Sequence, residues 1–154
     1  MEQPWTIITS LFVHGHWMHL LFNMLALFFL GSYVLRLVGE ARFLIIYFLG
    51  GLLGNVLLLA LAYFFPLRFS FGVAVGASGA IFALGGTLAI MRPKLKILIF
   101  PIPIPMDMWI AVIILMAVSF FPYNVAWQAH LGGLILGLIA GFFFRRRERG
   151  TFWR

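Results

Sequence analysis

Ser78 stands in Gly76-Ala77-Ser78-Gly79 at the head of one apolar run, and His130 in Ala129-His130-Leu131-Gly132-Gly133 near the head of another. A hydroxyl on a glycine-flanked turn and a lone imidazole are the parts of a nucleophile and its base. Free backbone N–H groups at a helix start favour a developing oxyanion, and Gly76 and Gly79 would let a substrate backbone come close. His19 and Asn23, four residues apart, share a face of a third run. From there an imidazole and a carboxamide could donate hydrogen bonds to a carbonyl oxygen as it becomes an anion. Each piece also has a plainer reading. Serine is a common helix N-cap, a lone histidine can be a packed side chain bonded to a carbonyl, and His19 with Asn23 could be polar glue between helices.

The rest of the inventory narrows the chemistry. There is no cysteine, so a thiol nucleophile, disulfides and thiolate metal sites are excluded. The carboxylates are Glu2, Glu40, Asp107 and Glu148, none beside Ser78 or His130 in the sequence, so a hydrolase built on this pair would use a dyad. His14, His16 and His19 form H-x-H-x-x-H, but without cysteine, a nearby carboxylate or an H-E-x-x-H helix the pattern is a weak metal signal, and no cofactor or metal is expected.

These groups lie in a chain of 154 residues that is 64% hydrophobic and 10% charged, with a mean hydropathy of +1.08. Polar surface on that scale cannot cover a soluble domain, so the chain reads as an integral membrane protein, all-α and polytopic, in a single domain over residues 1–154. Ionisable side chains inside such spans are functional-site candidates by default. The formal charge of +7 sits between apolar runs, which makes it a topology signal; no nucleic-acid partner is expected.

Five runs are expected to span the bilayer, at about 17–38, 42–64, 76–92, 106–121 and 126–144. The first is punctuated by Gly31 and ends at the Gly39-Glu40 turn; the second breaks at Pro66 and Arg68. Residues 70–75 read as a short connector, and Phe120 to Asn124 as a turn into the last span. Between the third and fourth, Ile97 to Pro105 carries alternating prolines that forbid a helix and favour an extended interfacial loop.

Arg36, Arg42, Arg92, Lys94, Lys96 and the cluster after Phe144 lie at one end of these spans, while the other end holds only Arg68. The positive-inside rule makes the C-terminus cytoplasmic and the N-terminus outside in a multi-pass protein of the cell membrane. An outside start without a signal peptide leads to the expectation of a further span upstream of Met1. Spans one, three and five then run inward together, which puts His19, Ser78 and His130 at about the same depth. His130 shares a face with Gly133, Gly137 and Gly141, a ridge suited to close helix contact, and Gly79, Gly85 and Gly86 offer a thin surface on the Ser78 helix.

His19-Leu20-Leu21-Phe22-Asn23, Gly76-Ala77-Ser78-Gly79 and Ala129-His130-Leu131-Gly132-Gly133 with Gly137, in this order and placement, resemble the rhomboid intramembrane serine proteases. The resemblance runs from Trp5 to Phe144. It implies a six-helix core, of which the first helix has no counterpart here, with Ser78 as nucleophile and His130 as base and then acid. It further implies an oxyanion site of His19, Asn23 and the Ser78 N–H, and transmembrane protein substrates cut near the outer membrane surface without metal or cofactor. Phe82 stands where the family often has a tyrosine stacked on the base. Thr6 replaces the arginine of a Trp-Arg pair, and Leu35 and Leu37 replace a Glu-x-Arg pattern. The rival expectation is a non-catalytic rhomboid-like protein that binds membrane clients, though such proteins typically lose the serine or the histidine.

Overall fold

The computed structural model describes residues 3–68, 75–99, 102–121 and 125–151, the last stretch by backbone alone beyond Arg145. A short helix α1 (Thr6–Thr9) and a 3-10 turn lead into α2 (Trp17–Ala26), which continues through a π-helical stretch at Leu27–Gly31 into α3 (Ser32–Val38). Then come α4 (Glu40–Phe64), α5 (Ser78–Met91), strands β1 (Lys96–Ile99) and β2 (Ile102–Asp107), α6 (Met108–Val118) and α7 (Trp127–Thr151). The protein is a helical membrane bundle: Trp17–Val38, Glu40–Phe64 and Trp127–Arg145 are long and apolar enough to cross a bilayer.

Helix occupies each of the five apolar runs, with informative differences in length. Gly31 does not break the first span. It lies in the π stretch, where a Cβ would stand 3.2 Å from Leu27 and 3.3 Å from the Phe43 ring. The turn into α4 uses Gly39 at φ 83°, a backbone conformation that L side chains rarely adopt. Helix α4 ends at Phe64, just before Pro66, as expected. The third and fourth spans are shorter than the apolar runs that announced them. Helix α5 has 14 residues and α6 has 11, about 21 and 17 Å of rise against a hydrocarbon core of about 30 Å. The proline segment is extended but is no loop: β1 and β2 pair antiparallel, with Lys96 opposite Asp107 and Ile99 opposite Ile102. Pro103 and Pro105, which have no N–H to give a ladder, fall in the irregular stretch between the paired positions. The connector before Val75 and the turn at 122–124 lie outside the described residues.

Small residues mark the closest contacts on the inner faces. Helix α4 shows Leu44, Ile45, Phe48 and Leu53 outward, while Gly50, Gly51, Gly54 and Ala62 are buried together with Ile46, Tyr47 and Leu58. Lipid is as apolar as leucine, so helices in a bilayer associate through close packing between small residues. Helix α5 is the centre of the bundle, with Gly79, Ala83, Leu84, Thr87 and Leu88 among its buried residues. On α7, Gly133 and Gly137 lie against the carbonyl oxygens of Gly79 and Ala83, and a Cβ on Gly141 would stand 2.8 Å from that of Thr87. The Thr87 hydroxyl lies 2.9 Å from the Ala83 carbonyl oxygen and 3.2 Å from that of Gly137 on the neighbouring helix. Gly86 meets Leu134 of α7, but Gly85 departs from expectation: it faces Val112 and Met108 of α6.

Gly137→Ala is therefore expected to destabilise the protein by about 1–3 kcal/mol through overpacking, read as a lower thermal unfolding midpoint in detergent. Gly85→Ala, where a new Cβ would meet nothing nearer than 3.5 Å, should leave that midpoint almost unchanged.

Candidate active site

The ladder between α5 and α7 runs in parallel register, Gly79 with Gly133 and Ala83 with Gly137. On that offset Ser78 is level with Gly132, two residues or about 3 Å of helix rise from His130. An imidazole closes that gap. Ser78 Oγ lies 2.8 Å from His130 Nε2.

Local backbone explains why the hydroxyl is available. Ala77 is the N-cap of α5, with no side-chain capping bond, and Ser78 is the first helical residue. Its side chain therefore leaves the helix end and meets the histidine. His130 is 9% exposed, and its Nδ1 is buried without a hydrogen-bond partner among the described residues. The ring is held instead by Phe82, stacked at 4.5 Å between centroids and 22° between planes. Four residues separate Phe82 from Ser78, so one helix face carries both the hydroxyl and the platform for the imidazole it meets.

His19 and Asn23 converge on the turn just before Ser78. Gly76 has φ 119°, and a Cβ there would stand 2.6 Å from His19 Cε1 and 3.6 Å from Asn23 Nδ2. Glycine at 76 is thus required twice, by the backbone conformation and by the approach of the His19 ring. Asn23 is buried, and its Nδ2 donates to the His19 carbonyl at 2.9 Å. A carboxamide has a second N–H beyond the one so used. Ser78, His130, Phe82, Gly79 and Gly133 thus meet at the heads of α5 and α7, with His19, Asn23 and Gly76 beside them; Gly137 lies one turn further along, against Ala83.

Three further residues hold this region: Asn55 and Ser10, which spacing did not single out, and His16, which it singled out only as a weak metal signal. Asn55 Nδ2 donates to the Ile7 carbonyl at 2.6 Å and to Ser10 Oγ at 3.0 Å, and the Gly76 N–H donates to the Ser10 carbonyl at 2.9 Å. The Gly76 turn is thereby tied through the N-terminal segment to α4. A lone asparagine inside a run such as Leu52-Leu53-Gly54-Asn55-Val56 was the available signal. The third is His16, the N-cap of α2, whose Nδ1 accepts the His19 N–H at 3.2 Å. The rings of His14 and His16 stand 5.1 and 5.7 Å from that of His19, and His16 is committed to the cap. Among the described residues no group of three or more such side chains is placed to hold a metal ion.

The Rhomboid domain profile matches residues 1–147. The chain belongs to the rhomboid family. Similar proteins include the putative rhomboid protease YdcA of Bacillus subtilis, 34% identical over 153 residues, covering 94% of this chain and 70% of the relative. Rhomboid protein 1, mitochondrial, of Saccharomyces cerevisiae is 32% identical over 147 residues, covering 92% of this chain and 42% of the relative. The rhomboid protease GluP of Bacillus subtilis is 34% identical over 149 residues, covering 96% of this chain and 27% of the relative. This chain thus spans less than half the length of two of the three.

His16→Ala is expected to cost about 1 kcal/mol of stability, the usual loss for an α-helical N-cap, while His16→Ser restores it. Thermal unfolding of the two variants side by side measures the difference. A loss of equal size in both would show that the cap bond contributes nothing.

Proposed function

We propose that this rhomboid domain is an intramembrane serine protease, with Ser78 as nucleophile and His130 as general base and then acid. The observation that supports it most is the 2.8 Å approach of Ser78 Oγ to His130 Nε2 between two separate helices. His130 takes the hydroxyl proton as Oγ attacks a peptide carbonyl, and gives it to the leaving amine as the C–N bond breaks. Water, deprotonated by the same ring, then hydrolyses the acyl-enzyme ester and returns Ser78. The Ser78 N–H at the helix start, with His19 and Asn23 beside Gly76, steadies the tetrahedral oxyanion.

Substrates under this reading are transmembrane proteins of the same bilayer. A helical peptide bond is shielded and its carbonyl hydrogen-bonded, so a substrate must present an unwound segment to Ser78. Small or helix-breaking residues near the cleaved bond meet that need. In the orientation read from the basic residues, the site opens toward the outer face of the cell membrane and α7 ends in the cytoplasm. Because α5 is about 9 Å shorter than the hydrocarbon core, Ser78 lies below the surface, reached by water from that side.

The expected outcome is covalent labelling of wild type by a fluorophosphonate and cleavage of a transmembrane reporter in vesicles. Ser78→Ala loses both, and His130→Ala lowers cleavage by about 10⁴-fold. Labelling that persists unchanged in Ser78→Ala overturns the assignment, and a wild type that binds the reporter without cutting it favours the non-catalytic client-binding reading. Asn23→Ala should lower kcat about 10²-fold with little change in KM, as for one oxyanion donor. A rise in KM at constant kcat would assign Asn23 to ground-state binding instead.

A further inference from the structure

The β1–β2 hairpin takes no part in the site, yet it is unlike an ordinary solvent-exposed turn. Its base is closed by the Met108 N–H donating to the Leu95 carbonyl at 2.8 Å and by Lys96 Nζ against Asp107 Oδ1 at 2.6 Å. Leu95 and Ile97 pack inward on the core. Outward, the hairpin shows apolar side chains: Leu98 and Ile104 are each 65% exposed, and Ile102 is 37% exposed. Of the four residues Ile102 to Pro105, two are prolines, so this exposed stretch carries half the usual number of N–H donors needing water.

The lengths of the helices that carry it fix its depth. With Ser78 about 9 Å below the outer edge of a hydrocarbon core of about 30 Å, the end of α5, about 21 Å further on, comes level with the opposite edge, so the hairpin joining α5 to α6 starts where lipid chains meet headgroups. Exposed lysine is present at the same level. Lys94 is exposed at the hairpin's root. Arg42 lies 5.4 Å over the Phe144 ring, which places the start of α4 beside the end of α7 and gathers Arg36, Arg42 and Arg145 at one end of the bundle. The acidic residues near them in the described chain are Glu40, Asp107 and, one turn beyond Arg145 on α7, Glu148; Asp107 is paired with Lys96 and also feels the charge of Lys94, which keeps its ammonium exposed.

We propose that the hairpin is an interfacial anchor: Leu98, Ile102 and Ile104 bed among lipid chains of the adjoining leaflet, and Lys94 holds the headgroup of an anionic phospholipid. Apolar exposure alone would fit any lipid; the basic root beside it selects for negative charge, at about fivefold per basic side chain near the surface. A hairpin so fixed holds the C-terminal end of α5, and with it the depth of Ser78 at the other end.

The chain has no cysteine, so Leu98→Cys and Ile104→Cys each accept a single environment-sensitive fluorophore on the full protein in vesicles. Both labels are expected to be quenched by phospholipid brominated in its acyl chains and protected from aqueous iodide. Brominated phosphatidylglycerol should quench better than brominated phosphatidylcholine at equal mole fraction, and Lys94→Gln should reduce that preference about fivefold. Labels open to iodide and indifferent to brominated lipid overturn the anchor. Equal quenching by the two headgroups overturns the anionic site, and so does a preference abolished by added inorganic phosphate, which would mark a site for the free anion.

Discussion

Helices α5 and α7 approach so closely that Gly133 and Gly137 lie on the carbonyl oxygens of Gly79 and Ala83, and the rest of the bundle depends on that contact. In a bilayer, apolar side chains gain nothing by leaving lipid for one another, so association rests on contact area between backbones and on polar bonds that cross the interface. The glycine ladder supplies the first and the Thr87 hydroxyl, 3.2 Å from the Gly137 carbonyl oxygen, the second. Because the repeat is four residues on both helices, sliding by a single residue would set Leu134 or Leu138 against the α5 backbone. The register is therefore fixed by sterics, and the distance between Ser78 and His130 is fixed with it.

Central burial of α5 has a second consequence. A helix wrapped by its neighbours need not reach both membrane surfaces, because protein rather than lipid covers its ends. That allows an irregular turn at Gly76 inside the membrane, where an N–H facing lipid would be costly. The Gly76 N–H reaches the Ser10 carbonyl, and Ser10 is held in turn by Asn55. A short central helix, a polar turn at its head and an asparagine in an otherwise apolar span are thus parts of one solution.

Much of this was legible in the sequence, because in a membrane protein size and charge carry the signal that polarity carries elsewhere. Glycine spacing at 133, 137 and 141 named the face of α7 that turns inward, and basic residues named the shared end of the spans. The reading was weaker wherever hydropathy alone was used. Apolar runs at 76–92 and 106–121 overstated α5 and α6, since the first takes in the Gly76-Ala77 turn before the helix and the second takes in Met106 of β2 and the exposed Phe120 and Phe121, which add apolar composition without helical backbone. Gly85 was assigned to the wrong neighbour because a helix as small-sided as α5 has more than one thin face, and which one meets α7 is decided by tertiary packing. Prolines at 103 and 105 correctly denied a helix, but the pairing of β1 with β2 is a non-local property that no local pattern contains.

Among the described residues no side chain bonds His130 Nδ1, and the lack of a carboxylate there fits the same setting. A triad needs a buried anion to orient the imidazole and to stabilise its charged form, and an anion inside a bilayer carries a desolvation cost of its own. Here Phe82 holds the ring by its face at 4.5 Å. An aromatic face fixes orientation without bringing a charge into the membrane, and it still attracts a cation when the ring takes a proton, by about 0.5–2 kcal/mol. That is less than an ion pair gives. The proposed dyad therefore trades stabilisation of the imidazolium for a site that needs no counterion, and greater weight falls on the oxyanion donors around Gly76. Under the proposed mechanism the positive φ of Gly76 and its contact with His19 would serve the reaction as much as the fold, because they decide how near those donors stand to Ser78.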